Sequence, residues 1–257
     1  MKTDWTQGLN PEQGKAVLHQ QGPLLILAGA GSGKTTVLVN RCGQLISSGV
    51  PAKNLMVLTF TNKAARELKH RVAHRLGKAS KGLWAGTFRS FGLQLLRQFH
   101  KLANLPEKFA ILDQTDGQAI LKELLRDLTV AGKEKFDLEL LLNLINEKRL
   151  YGRFRSVVED EYSAVAETLA PRYLKRLQHW GAVDFEGLLL LPLELLPKHP
   201  EVKEKVQAKI QYLMVDEFQD TNSLQMKLID QLINADRNLA VVGDDDQSIY
   251  GWRGAEV

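Results

Sequence analysis

Three times in the first hundred residues a short apolar run gives way to a segment whose apolar positions recur every three or four residues. Leu24–Leu27 precedes a segment with Leu38, Cys42, Leu45 and Ile46 on one helical face. Leu55–Phe60 precedes Ala65, Leu68, Val72 and Leu76, and Leu83–Thr87 precedes Phe91, Leu95, Phe99 and Leu102. Buried strands alternating with helices of period 3.6 predict an α/β fold, a parallel sheet with helices on both faces. The pattern changes near Leu105-Pro106. From Asp113 to about Trp180 the periodicity is helical only. Asp113 and Asp116 are placed to cap a helix carrying Ile120, Leu121, Leu124 and Leu128. Leu138–Ile145 predicts a second helix. Tyr162, Val165, Leu169, Tyr173, Leu177 and Trp180 form the stripe of a third, read as core packing. Strand patterns return at Tyr212–Val215 and Leu239–Val242. The prediction is an α/β domain, residues 1–104 and 183–257, interrupted by an all-helical insertion over 105–182.

Composition narrows the class. The 257 residues are 44% hydrophobic and 25% charged, ordinary for a globular protein. A net charge of +4 permits a nucleic-acid partner without establishing one. The charge is uneven: Lys63, Arg66, Lys69, Arg71, Arg75, Lys78 and Lys81 crowd one stretch, with Glu67 as its only acid. That stretch reads equally as a solvated helix face. The single cysteine, Cys42, excludes an internal disulfide and a cysteine-built metal site, and falls on a predicted core face. Met1–Gln13 has no signal-peptide core, and Leu188–Leu196, with Pro192 and Glu194, is too short to span a bilayer. The expectation is a soluble cytoplasmic protein with no membrane partner.

The first apolar run ends in Ala28-Gly29-Ala30-Gly31-Ser32-Gly33-Lys34-Thr35-Thr36, the strand, glycine-rich turn and helix start of a phosphate-binding loop. Gly29, Gly31 and Gly33 allow the backbone to approach a polyphosphate, and the N–H groups opening the helix point at its oxygens. Lys34 is placed for the β- and γ-phosphates and the Thr35 hydroxyl for Mg²⁺. Ala28 stands at the first consensus glycine. Tyr212–Val215 then ends in Asp216-Glu217. Beside a phosphate loop, Asp216 can hold Mg²⁺ through water and Glu217 can accept a proton from the attacking water. The alternative is a capping pair for the helix that includes Leu224.

Leu239–Val242 leads into Gly243-Asp244-Asp245-Asp246-Gln247-Ser248. The three acids do not make a calcium loop, because Ile249 and Ala255 stand where a glycine and a glutamate are required. Gln247 is a neutral amide suited to sensing the γ-phosphate or positioning water. Tyr250, Trp252 and Arg253 offer flat faces and a cation to single-stranded nucleic acid. They read also as the hydrophobic anchor of a loop.

Taken together in order, these residues resemble the UvrD/Rep/PcrA family of superfamily 1 DNA helicases from end to end. Leu9-Asn10-Pro11-Glu12-Gln13 is similar to the Q motif and Ala28–Thr35 to motif I. Thr59-Phe60-Thr61-Asn62-Lys63-Ala64-Ala65 is similar to motif Ia, and Gly86-Thr87-Phe88-Arg89-Ser90-Phe91 to motif Ib. Val183-Asp184-Phe185-Glu186 resembles a small motif at the return to the first motor domain. Val215–Asn222 resembles motif II and Gly243–Ala255 motif III. The strings Asp-Glu-Phe-Gln-Asp and Gln-Ser-Ile-Tyr-Gly-Trp-Arg are the most specific.

The resemblance implies a RecA-like motor domain that binds ATP and Mg²⁺. Gln13 would read adenine, Lys34 bind phosphate, Thr35 and Asp216 hold Mg²⁺, Glu217 activate water and Gln247 link the γ-phosphate to the DNA track. Phe60, Thr61, Asn62, Arg89, Tyr250, Trp252 and Arg253 would contact DNA. The helical insertion resembles domain 1B, which lies along the duplex and strand path. Implied partners are single-stranded DNA, single/double-strand junctions and a second RecA-like domain. Arg89 stands where the family commonly has His, a permanent charge in place of a titrating one, and Thr36 where it commonly has Arg. Motifs IV to VI are not in the 257 residues. The expectation is thus an N-terminal fragment of a 3′→5′ helicase or translocase, deficient in ATP hydrolysis by itself. Two further readings stay open: a DNA- or partner-binding module with a vestigial nucleotide site, and the motor part of a helicase-nuclease subunit.

Overall fold

A computed structural model of the chain describes residues 3–29, 31–128 and 136–244. They form two compact units, Met1–Phe91 with Leu196–Val257, and Gly92–Leu195. The second is wider on both sides than the 105–182 stretch singled out by its helical periodicity.

The first unit is built on a five-stranded parallel sheet in the order β1 (Leu24–Leu27), β7 (Leu239–Gly243), β6 (Tyr212–Val215), β2 (Leu55–Leu58), β3 (Trp84–Gly86). Register runs Leu27 to Gly243, Val215 to Val241, and Leu58 to Val215 and Gly86. The C-terminal ends therefore align, and the loops that follow share one edge of the sheet. Every residue of β2 is buried, as expected of a central strand covered on both faces. At the margin strand β1 the cover is incomplete, and Leu25 and Leu27 are 60% and 64% exposed. Helix α2 (Lys34–Ser47) packs Leu38, Cys42 and Leu45 into the sheet core, and α3 (Asn62–Leu76) adds Ala65, Leu68 and Val72, as the periodicity predicts. Burial pushes the Cys42 thiol up to about 12, so it is an inert packing group.

The first twenty residues are less polar in role than in composition. Trp5 is fully buried, donates its indole N–H to Ser47 Oγ at 2.9 Å and lies 4.6 Å beneath the Arg75 guanidinium. Gly43 is required there, because a Cβ would fall 2.3 Å from the indole ring. Helix α1 (Pro11–Leu18) starts at a capping box between Asn10 and Gln13. Buried Arg41 of α2 donates to the carbonyls of Ala16 and His19 at the other end of α1.

The Gly92–Leu195 unit contains the three expected helices, α5 (Gln114–Arg126), α6 (Leu138–Tyr151) and α7 (Asp160–Trp180). Asp113 and Asp116 form a capping box on α5. Ile120, Leu121, Leu124, Leu144, Ile145, Leu169 and Tyr173 make one core. Three features depart from the periodicity. Ala110–Leu112 (β4) and Ala182–Asp184 (β5) pair in parallel as a separate small sheet, each too short for a strand pattern to register. Trp180 is 48% exposed, because it ends α7 and its ring carries Arg176, 5.5 Å away, rather than core. Upstream, α4 (Phe88–Gln98) stops short of Leu102, which is 41% exposed. Two helices complete the described chain before β6, α8 (Gly187–Lys198) and α9 (Pro200–Lys209); α10 (Ser223–Leu232) follows β6.

Candidate nucleotide and nucleic-acid site

The loop after β1 is held from both sides. Ala28 N–H donates to Gly243 C=O at the end of β7, and Ser32 N–H to Gly29 C=O. Gly31 and Gly33 take φ of +70° and +86°, left-handed values that only glycine adopts cheaply. Gly33 is also the N-cap of α2 and has no side chain to cap with, so the first N–H groups of that helix are left for an anion. Lys34 and Thr35 occupy the first turn, half-buried, and Thr36 is exposed. Ala30 lies outside the described residues. The Gln13 amide meets this loop: Nε2 donates to Ser32 C=O at 2.7 Å while Oε1 accepts from Asn10 N–H at 3.0 Å.

Facing the loop are the ends of β6 and β7. Lys34 Nζ is 3.6 Å from Glu217 Oε2 and 3.9 Å from Asp244 Oδ2, with its side chain 10% exposed. Glu217 sits at φ +51°, ψ +50°, a left-handed conformation costing a non-glycine residue about 1–2 kcal/mol. Such strain is retained where the surroundings fix it. Gln219 does so: its Nε2 donates to Glu217 Oε2 at 2.8 Å and its Oε1 accepts Asp244 N–H at 3.1 Å. Gly243 lets the two strand ends approach closely here: a Cβ on it would lie 3.0 Å from Gln219 Oε1. Sequence reasoning assigns no role to Gln219 or Asp244; the signal lies in the Asp-Glu-Phe-Gln-Asp string, where a glutamine stands two places after Glu217.

Asp216 is buried at the end of β6 and accepts Glu217 N–H at 3.1 Å. Burial, with the Glu217 charge adding, pushes its carboxyl up to about 6, and Lys34 offsets this only in part. Asp220 is raised for the same reasons, and its Oδ1 is buried without a hydrogen-bond partner. Buried acids gathered near one lysine want a further cation. Among the described residues no three acid, histidine or cysteine side chains converge as a metal cage. That donor set suits Mg²⁺, which binds through one or two protein oxygens and completes its shell with phosphate and water.

Other expected positions lie along the same unit. Phe60 is half-buried after β2. The Thr61 hydroxyl caps α3 through Ala64 N–H, and Asn62 Oδ1 accepts from Ser90 Oγ, itself hydrogen-bonded to Thr87. These contacts join the start of α3 to the start of α4, where Arg89 is exposed. Gln247, Tyr250, Trp252 and Arg253 lie outside the described residues.

A parallel sheet with a glycine loop after one strand and acids after its neighbours defines a phosphate-loop nucleotide-binding protein of the α/β class. The model of the UvrD/REP helicase N-terminal domain matches residues 9–257, and the chain belongs to that family. It is 39% identical over 256 residues to the ATP-dependent DNA helicase PcrA of Staphylococcus epidermidis strain ATCC 12228, covering 98% of this chain and 35% of that one. To PcrA of Staphylococcus aureus strain NCTC 8325 it is 40% identical over 254 residues, covering 97% and 35%. The chain thus spans about 35% of the length of these curated relatives. No described helix is long and apolar enough to cross a membrane.

Proposed function

We propose that residues 1–104 and 183–257 are the first motor domain, and 105–182 the helical insertion, of a cytoplasmic ATP-dependent 3′→5′ DNA helicase or translocase. The observation carrying this reading is Lys34, inserted between Glu217 and Asp244 at the aligned strand ends. The triphosphate of ATP binds along Gly29–Gly33, and Lys34 leaves its acids for the β- and γ-oxygens. Thr35 and Asp216 would hold Mg²⁺, which would supply positive charge to the phosphates. Glu217, held by Gln219, takes the proton of the water that attacks the γ-phosphorus, and the bond to the β-phosphate oxygen breaks. Gln13 reads adenine and Gln247 senses the γ-phosphate. Single-stranded DNA runs over Phe60, Thr61, Asn62 and Arg89, with Tyr250, Trp252 and Arg253 stacking or pairing with it.

A partner domain's arginine is worth about 10³–10⁵ in rate in such enzymes. The 257 residues by themselves therefore bind Mg·ATP and turn it over slowly. Titration with a fluorescent ATP analogue should show Mg²⁺-dependent binding that Lys34→Ala abolishes. Binding indifferent to Lys34 overturns the site. Fast DNA-stimulated hydrolysis by these residues, lost in Lys34→Ala, overturns the need for a second domain.

A further inference from the structure

The basic stretch noted in the sequence becomes one surface in the structure. Residues 62–81 are α3 and the 3-10 turn Gly77–Ser80 that follows it, with Lys81 next. They hold seven cations and one acid, a net +6 in a chain of net +4, so all other residues together are net −2. The core side of α3 is Ala65, Leu68 and Val72. Opposite it, Lys63, Arg66, His70 and His74 follow one another at helical spacing, with Lys69 flanking and Lys78 and Lys81 beyond, all exposed.

Two of the seven cations are occupied: Arg71 pairs with Glu67 at 2.5 Å, and Arg75 lies on Trp5 and donates to Asn40. Lys63, Arg66, Lys69, Lys78 and Lys81 have no ion-pair partner among the described residues. A solvated helix face ordinarily alternates its signs, whereas five unpaired cations in one band repel one another. The helix alone is about 22 Å long, room for several successive phosphates. The stretch contains no Phe, Tyr or Trp. Single strands are gripped by stacking on aromatic faces, and duplexes by cations on the phosphate backbone.

We propose that the solvent face of α3 and its following turn is a docking track for the backbone of duplex DNA, read without regard to sequence. It begins where Thr61 and Asn62 are assigned to the single strand, and it would hold the duplex arm of a junction. This inference rests on the DNA-helicase reading above and adds a second contact to it.

The test uses the 257-residue protein and its Arg66→Ala, Lys69→Ala, Lys78→Ala, Lys81→Ala quadruple variant, none of whose positions touches the nucleotide site. Fluorescent oligothymidylate and a hairpin duplex with the same oligothymidylate as a 3′ tail are titrated across a salt series. The wild type should bind the tailed duplex more tightly than the tail. The variant should lose most of that advantage. Its log-affinity against log-salt slope on the tailed duplex should fall by about 2–3, at roughly 0.9 for each phosphate that is no longer neutralised. Equal weakening on both probes assigns the track to the single strand and overturns the proposal. An unchanged slope overturns it too, while leaving the helicase reading standing. Failure of the wild type to bind either probe at low salt, with Mg·ATP binding intact, overturns the DNA reading itself and the track with it.

Discussion

Asp216 and Asp184 occupy like positions in the two units. Each comes at the C-terminal end of a short parallel strand, and they are 7% and 4% exposed. Their surroundings are opposite. Asp184 is bound by the Arg149 guanidinium in two places, at 2.5 and 3.0 Å, by the Tyr173 hydroxyl at 3.0 Å and by Gly187 N–H at 2.8 Å. Burial pushes its carboxyl up, but the Arg149 hydrogen bonds and charge, with the other donors, outweigh burial and hold it below the usual carboxylate range. Asp216 has one backbone donor and an acid beside it, and it is pushed up to about 6. A buried acid whose donors are supplied by its own fold is a structural knot, here tying α6, α7 and the start of α8. One left short of positive charge marks where a ligand has to bring it.

The sharpest way to break the comparison is to make Asp184 resemble Asp216. Arg149→Ala leaves a buried carboxylate with no counter-charge, and breaking such a pair costs about 3–5 kcal/mol. Chemical denaturation should show that loss, with the Gly92–Leu195 unit melting first. Adding Asp184→Leu should recover part of it, because the stranded charge is then gone. If Arg149→Ala costs less than about 1 kcal/mol, the knot is not what holds these helices.

The converse change sets function against stability. With a folded pKa of about 6 against an ordinary 3.8, Asp216 in its ionised form opposes folding. The cost grows as pH rises from about 4 to 6, reaches about 3 kcal/mol near neutrality, and is relieved on acidification. Asp216→Asn should therefore raise nucleotide-free stability at pH 7 by about 1–3 kcal/mol while removing the Mg²⁺ dependence of nucleotide binding. Hydrogen exchange of the wild type should show amides around β6 gaining protection from pH 7 to 5. Over that range the Asp184 knot should not change. Its folded pKa lies below the unfolded one, so its stabilisation is complete above about 3.8 and is lost only as pH falls through the folded value. Loss of protection around β6 on acidification would reverse the assignment.

The strand-loop-helix of Leu24–Thr36 and the parallel α/β layout were legible from the sequence, because both depend on local pattern: apolar runs, glycines and a 3.6 period. The knot at Asp184 was visible only as a motif. Its side-chain partners, Arg149 and Tyr173, come from two other helices, and no spacing rule links them to Asp184. Trp5 was invisible for the same reason: its pocket is made by Gly43 and Arg75 from two other helices. Asp216 and Glu217 stand out in the sequence as a pair, yet nothing in that pattern signals that Glu217 adopts a left-handed backbone or that Asp216 is short of donors. Those are properties of packing.

Gln219 offers the smallest and most discriminating test, because it belongs to both patterns. It satisfies its hydrogen bonds within the fold, as the Asp184 partners do, yet the group it holds is the assigned base. Gln219→Ala removes the donor to Glu217 Oε2 and the acceptor for Asp244 N–H, and should cost about 1 kcal/mol of stability. Without it, the strained turn at Glu217 loses its restraint, and Lys34 is left as the one cation in reach of that carboxylate among the described residues. In single-turnover assays with the protein in saturating excess over Mg·ATP, hydrolysis should slow by about tenfold while nucleotide affinity holds, because phosphate and metal contacts do not involve this amide. A fall in affinity with the rate unchanged would place Gln219 with the loop rather than with the base, and would make Glu217 a structural partner of Lys34.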